Sequence, residues 1–220
     1  MIQTSSSPSG TGLSPSLFFI AVLYGGMVCV AGVLGNKQVS LGPLAVEAGI
    51  FAFLLLVVMA SATAELHGEK VAQGLVRLGF VPLILSMVLA LIVWALPASP
   101  KMMPENVAAI QTVLFSNLRI WFAGIIAYGV SQTLNVLIFA RLKRDGGRFV
   151  WLRGAVAGVL SQIVDTLLFV TIAFYGVFPI ANLMAGQMVA KVVLSATLIP
   201  FIITALVALG RKLDRGEKLL

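Results

Sequence analysis

Two ionisable residues stand where a strongly apolar stretch should not carry them. Asp165 lies twelve residues beyond Arg153, and Lys191 twelve beyond Pro179, each inside a long apolar run. At 1.5 Å per residue each is about 18 Å from the start of its run, near the middle of a hydrocarbon core about 30 Å thick. A charge at that depth costs about 2.5–3.5 kcal/mol on insertion scales, so an opposite charge is expected to meet it. The two runs are consecutive and joined by a short turn, hence antiparallel neighbours, and an Asp165–Lys191 pair is expected. Such a pair either fixes helix register or belongs to a polar ligand site. The polar groups around it favour the second.

Those groups form a local repeat. Ser131-Gln132-Thr133-Leu134-Asn135-Val136-Leu137-Ile138-Phe139 matches Ser161-Gln162-Ile163-Val164-Asp165-Thr166-Leu167-Leu168-Phe169 at an offset of 30. Steps of three set Gln132 beside Asn135, and Gln162 beside Asp165, on one helical face. The two helices run in opposite directions, so the motifs face each other across a local pseudo-twofold. Inverted repeats around a midplane site are a recurring transporter plan; the same residues also serve to hydrogen-bond two helices together.

Other polar positions carry less. Glu65, at the end of an apolar run, reads equally as a site carboxylate or a solvated helix end. Arg119 opens another run, where snorkelling to headgroups is the default. Asn36, after Gly35, suits a helix end. His67 has no partner at metal-ligand spacing, and the chain holds no Cys/His cluster, HExxH, Walker A loop or nucleophile elbow, so neither a metal, a cofactor nor an enzyme activity is expected. Cys29, the single cysteine, is a packing residue. Gly154 and Gly158 permit close helix approach, and Pro200 should kink or loosen the last helix.

The elements that must position these groups follow from composition. Hydrophobic residues make up 60% of the 220 and charged residues only 10%, against roughly 25% charged in a soluble domain. The solvent is therefore lipid, and the chain is an all-α integral membrane protein with six transmembrane helices. The apolar runs are residues 17–34, 44–64, 75–96, 118–139, 155–175 and 180–209, with residues 97–117 as the longest loop. Residues 1–16 form a Ser- and Gly-rich disordered tail with no basic start of a secretory signal, 17–210 the membrane domain and 211–220 a basic tail. Eleven Lys and Arg fall on the side that holds both termini and three on the other, so both termini are expected to be cytoplasmic. The net charge of +7 reads as this topology rather than as binding to nucleic acid.

Three stretches of the chain resemble the queuosine precursor transporters, also called the vitamin uptake transporter family. They are Glu65-Leu66-His67-Gly68-Glu69-Lys70-Val71-Ala72 with Leu78-Gly79-Phe80, then Ser131-Gln132 through Phe139 with Arg141-Leu142-Lys143, and Trp151-Leu152-Arg153 through Ser161-Gln162 and Asp165-Thr166 to Phe174-Tyr175-Gly176. Lys191 and Pro200 fit the family's last span. The chain departs from the family at Asn135, where an Asp is usual, at Gly154, where Asn usually follows the Arg, and at Ala60-Ser61, where Thr-Asp is usual.

The resemblance implies an importer of 7-cyano-7-deazaguanine or its aminomethyl relative in the bacterial inner membrane, serving transfer-RNA modification. It also implies a fold similar to the substrate-binding subunits of energy-coupling-factor transporters. On this reading Asn36, Glu65, Arg119, Gln132, Asn135, Gln162, Asp165 and Lys191 line the substrate site. The partners are then a deazapurine and the lipid bilayer, and a homodimer is compatible with a bundle this small. Two other readings stand beside it: a binding subunit of an ATP-driven importer, and a structural membrane protein whose polar face only joins helices.

Overall fold

The structure is a computed structural model and describes residues 13–35, 37–42, 44–115, 118–143, 149–176 and 180–216. Helix α1 (Pro15–Leu34) starts at a Ser14 cap whose hydroxyl accepts from the Leu17 amide at 3.3 Å. Pro15 occupies the first helical position, where a missing N–H costs nothing. Strands β1 (Gln38–Leu41) and β2 (Leu44–Glu47) pair antiparallel with Val39 opposite Val46. Five helices follow the tight junction at Ala48: α2 (Gly49–His67), α3 (Glu69–Ala95), α4 (Pro104–Phe115), α5 (Leu118–Arg141) and α6 (Val150–Phe174). The last, α7 (Ala181–Asp214), runs unbroken through Pro200.

Six of these helices, α1, α2, α3, α5, α6 and α7, are long and apolar enough to cross a membrane. Helix α4 has twelve residues, about 18 Å, which is too short to span. It occupies much of the segment expected to be a loop, and starts on Pro104, whose fixed φ suits a first turn. The polar stretch from Glu65 to Lys70 is also not a loop. Gly68 alone separates α2 from α3, at φ 89°, a backbone angle that residues with a Cβ adopt with strain. Glu65 and His67 therefore sit on the last turn of α2.

Helix α2 is the hub. It is apolar on every side, and Leu54, Leu56, Val57, Val58, Met59, Ala60 and Ala62 are all buried, with Phe51 and Leu55 marking a narrow exposed strip, as suits a helix that meets either protein or lipid on each face. Helices α2, α5, α6 and α7 pack around one another, and α1 and α3 lie against α2 from outside. The outer face of α3 (Leu78, Val81, Leu85, Leu89, Ile92) is exposed and suits lipid. Small residues set the spacing, as the Gly154/Gly158 pair predicts. A Cβ on Gly158 would stand 2.5 Å from Ile199 Cδ1 and one on Gly154 3.1 Å from Ile203 Cδ1, so α7 rides directly on the backbone of α6. Gly79 does the same for α3. A Cβ there would strike the Tyr128 hydroxyl and come within 2.8 Å of the Tyr24 ring, two tyrosines whose hydroxyls meet at 2.9 Å. Cys29 on α1 donates its thiol to the Pro82 carbonyl of α3 at 3.6 Å, a packing contact.

Two faces of the bundle can be told apart. One holds the start of α1 and the ends of α2 and α7 and is called the terminus face below. The other holds the β1–β2 hairpin and is called the hairpin face.

Candidate functional site

Asp165 on α6 and Lys191 on α7 meet in the middle of the bundle. The ammonium lies 2.9 Å from Asp165 Oδ2, and the two side chains are only 6% and 5% exposed. The other carboxylate oxygen accepts from the Ser131 hydroxyl of α5 at 3.1 Å. The ammonium also lies 5.7 Å from the centre of the Phe53 ring and 5.9 Å from that of Phe169. Carboxylate, hydroxyl and aromatic faces together make its burial tolerable. The expected pair is present, and it draws on both copies of the repeat, with Ser131 from one and Asp165 from the other.

The copies differ in where they turn. Asn135, the counterpart of Asp165, donates its amide to the Val57 carbonyl at 3.2 Å and to Ser61 Oγ at 3.0 Å, both on α2. A carboxylate accepts and so takes a cation and a hydroxyl, whereas an amide nitrogen donates and so seeks oxygens. Helix α2 thus flanks Asn135 as α7 flanks Asp165.

Around this centre lies a set of buried polar atoms with no hydrogen-bond partner among the described residues: both amide atoms of Gln132 and of Gln162, Oδ1 of Asn135, Oε1 of Gln187 and Oγ of Ser195. Gln132 and Gln162 are fully buried. A buried group of this kind costs about 1–3 kcal/mol when left without a partner, so these side chains form a polar lining able to hydrogen-bond a ligand. Gln187 and Ser195 were not singled out from the sequence. Their signal was there: Gln187-x-x-x-Lys191-x-x-x-Ser195 steps by four along one face of α7. A narrow crevice lined by Val46, Ile50, Gln187 and Lys191 runs beside the pair on its hairpin side.

Of the remaining expected site residues, the structure describes the side chain of Glu65, which lies elsewhere. Glu65 is 4% exposed and gathers three cations: Arg153 Nη1 at 2.7 Å, Lys143 Nζ at 3.5 Å and Arg211 Nη2 at 3.7 Å. Arg153 also donates twice to the Phe139 carbonyl, at 3.3 and 3.1 Å, and lies 4.2 Å over the Phe139 ring. Twelve residues of α6 separate Arg153 from Asp165, about 18 Å along the axis, so Glu65 closes the terminus face rather than joining the centre. Arg119 stands in the first turn of α5 and its side chain lies outside the described residues, as does Asn36 altogether.

Beside Glu65 is a second cluster that spacing did not foretell. The buried Ser16 hydroxyl donates to Asp214 Oδ2 at 2.7 Å and lies 2.8 Å from His67 Nε2, while its amide donates to Asp214 Oδ1 at 3.0 Å. The hydroxyl sits between the imidazole and the carboxylate, whereas a nucleophilic relay places the imidazole in the middle. This cluster staples α1, α2 and α7 together.

The class defined by these features is a multi-pass helical membrane protein with a polar, charge-paired centre enclosed by four helices. A family model described as "Putative vitamin uptake transporter" matches residues 47–205, most of the chain, with α2, α5 and α6 entire and most of α7. The chain belongs to the vitamin uptake transporter family. A curated relative from Bacillus subtilis (strain 168), named "Probable queuosine precursor transporter", is 30% identical over 118 residues, which is 52% of this chain and 50% of the relative. The chain thus spans about half the length of the curated relative it matches. No solved structure matches it at a significant level.

Proposed function

We propose that this protein imports queuosine precursors, 7-deazaguanine bases such as the 7-cyano compound and its aminomethyl relative, across the bacterial inner membrane. The observation that carries the reading is the pair of buried amides of Gln132 and Gln162, without a partner among the described residues, on the helices that hold Ser131 and Asp165 beside Lys191. A guanine-like edge offers adjacent N–H donors and a carbonyl. A glutamine amide supplies one acceptor and two donors, so two glutamines complement such an edge without any charge. Asp165 spends one lone pair on Lys191 and one on Ser131 and retains others for a ligand N–H. Phe53 and Phe169, already beside the ammonium, supply apolar walls of the kind small-ligand sites use. Asn135 Oδ1, Gln187 and Ser195 complete the lining.

Access follows from the two faces. With the terminus face cytoplasmic, as the distribution of Lys and Arg favours, the Glu65 and Ser16 clusters hold the inner side shut. Import then requires the inner clusters to part after the base has bound.

The test is uptake in cells unable to make the precursor. Asp165→Ala should abolish queuosine formation in their transfer RNA while the protein still inserts and accumulates. Normal queuosine with this variant would remove Asp165 from the site.

A further inference from the structure

We infer that Asn135 decides which base this site accepts: its side-chain oxygen is a fixed acceptor, and the base must bring an amino group to it. The inference rests on the import reading above and assigns one group of the substrate to one residue.

Three fully buried primary amides sit on two adjoining helices, those of Gln132 and Asn135 on α5 and of Gln162 on α6. The contact of Ser131 with Asp165 at 3.1 Å sets the level of one helix against the other, and all three amides lie within four residues of it, about 6 Å along the axis. They are not equivalent. The Asn135 nitrogen spends its two N–H groups on α2, at 3.2 Å to the Val57 carbonyl and 3.0 Å to Ser61 Oγ. A carbonyl only accepts, so turning this amide over would set oxygen against oxygen. Its orientation is fixed, and Oδ1, with no partner among the described residues, is the atom it has left to offer. Gln132 and Gln162 have neither amide atom engaged among the described residues, so each can present an acceptor and a donor together.

That inventory matches the rim of a 7-deazaguanine. Position 7 is carbon, so the N–H of the five-membered ring is fixed at position 9, beside the acceptor N3. On the other side N1–H stands beside the 6-carbonyl. Each of these is a donor next to an acceptor, which one primary amide satisfies with two parallel hydrogen bonds. Between them lies the 2-amino group, which only donates and needs an acceptor with no competing donor. The two glutamines suit the two mixed pairs, and Asn135 Oδ1 suits the amine. A base without that amine leaves Oδ1 buried and unsatisfied, and a site built to hydrogen-bond a substrate group rejects the analogue that lacks it for this reason.

The experiment is equilibrium binding to the purified protein in lipid nanodiscs. It compares 7-cyano-7-deazaguanine with 7-cyano-7-deazahypoxanthine, which differs only in lacking the 2-amino group. The amine-bearing base should bind at least about tenfold more tightly. Asn135→Leu should bring the two bases within a few-fold of each other, whereas Gln162→Leu should weaken both and leave their ratio unchanged. Equal binding of the two bases by the parent protein, a comparison that needs no substitution, overturns the inference and leaves the import reading standing. A ratio preserved in folded Asn135→Leu protein overturns it equally, because Asn135 then only joins α5 to α2. A ratio lost in Gln162→Leu but kept in Asn135→Leu gives the amine to the glutamine and has the same force. Absence of saturable binding by both bases defeats the import reading and the inference with it.

Discussion

Replacing Glu65 by Gln tests whether the terminus face is held by one buried ion pair or by a diffuse set of charges. Three cations surround the carboxylate, but they are not equivalent. Lys143 and Arg211 are 45% and 60% exposed, and pairs with such solvated partners contribute about 0–1 kcal/mol each. Arg153 is 6% exposed and sits at 2.7 Å. Removing one partner of a buried pair costs about 3–5 kcal/mol, because the other charge is left uncompensated. Arg153 would keep two bonds to the Phe139 carbonyl and its stacking on that ring, and the new amide oxygen still accepts one bond. Glu65→Gln should therefore cost about 2–3 kcal/mol, at or just below the bottom of that range. The assay is reversible unfolding in mixed micelles, run as double-mutant cycles of Glu65→Gln with Arg153→Met and with Lys143→Met. The Glu65/Arg153 coupling should be about 2 kcal/mol and the Glu65/Lys143 coupling under about 1. Couplings of equal size would refute the reasoning, since burial would then not be what distinguishes the partners.

Three further outcomes follow from the same packing. Gln162→Leu should weaken binding of the base while raising the melting temperature or leaving it unchanged, because the amide it removes has no partner among the described residues and burying one costs about 1–3 kcal/mol; a destabilised variant would show that the amide is satisfied. Gly79→Ala should cost about 1–3 kcal/mol by overpacking against Tyr24 and Tyr128, read by thermal unfolding. Tyr128→Phe, which removes the struck hydroxyl, should restore part of that loss. Ser16→Ala should lower stability by about 1.5–3 kcal/mol, the usual worth of hydrogen bonds to a charged group, and an unfolding midpoint identical to that of the parent would show that Asp214 and His67 do not depend on the hydroxyl.

The six spans and the depth of the polar groups were legible in the sequence, and for one reason. Lipid demands about 20 apolar residues per crossing, so depth is a distance along the chain that can be counted. That count placed Asp165 and Lys191 at one level on adjoining antiparallel helices, and the structure joins them at 2.9 Å. The repeat likewise brought Ser131 to Asp165. Azimuth around each helix was a different matter. In water the core-facing side of a helix is marked by its apolar stripe, but here lipid and core are equally apolar, and α2 is hydrophobic all the way round. Nothing along its length says which neighbour each face meets. Tertiary packing alone therefore brought Lys143, the start of α6 and the end of α7 around Glu65, joined Ser16 to Asp214 across 198 residues, and buried the amides of Gln132 and Gln162, Gln187 Oε1 and Ser195 Oγ without partners among the described residues. Chain distance sets how deep a residue lies; only the packed bundle decides what it faces.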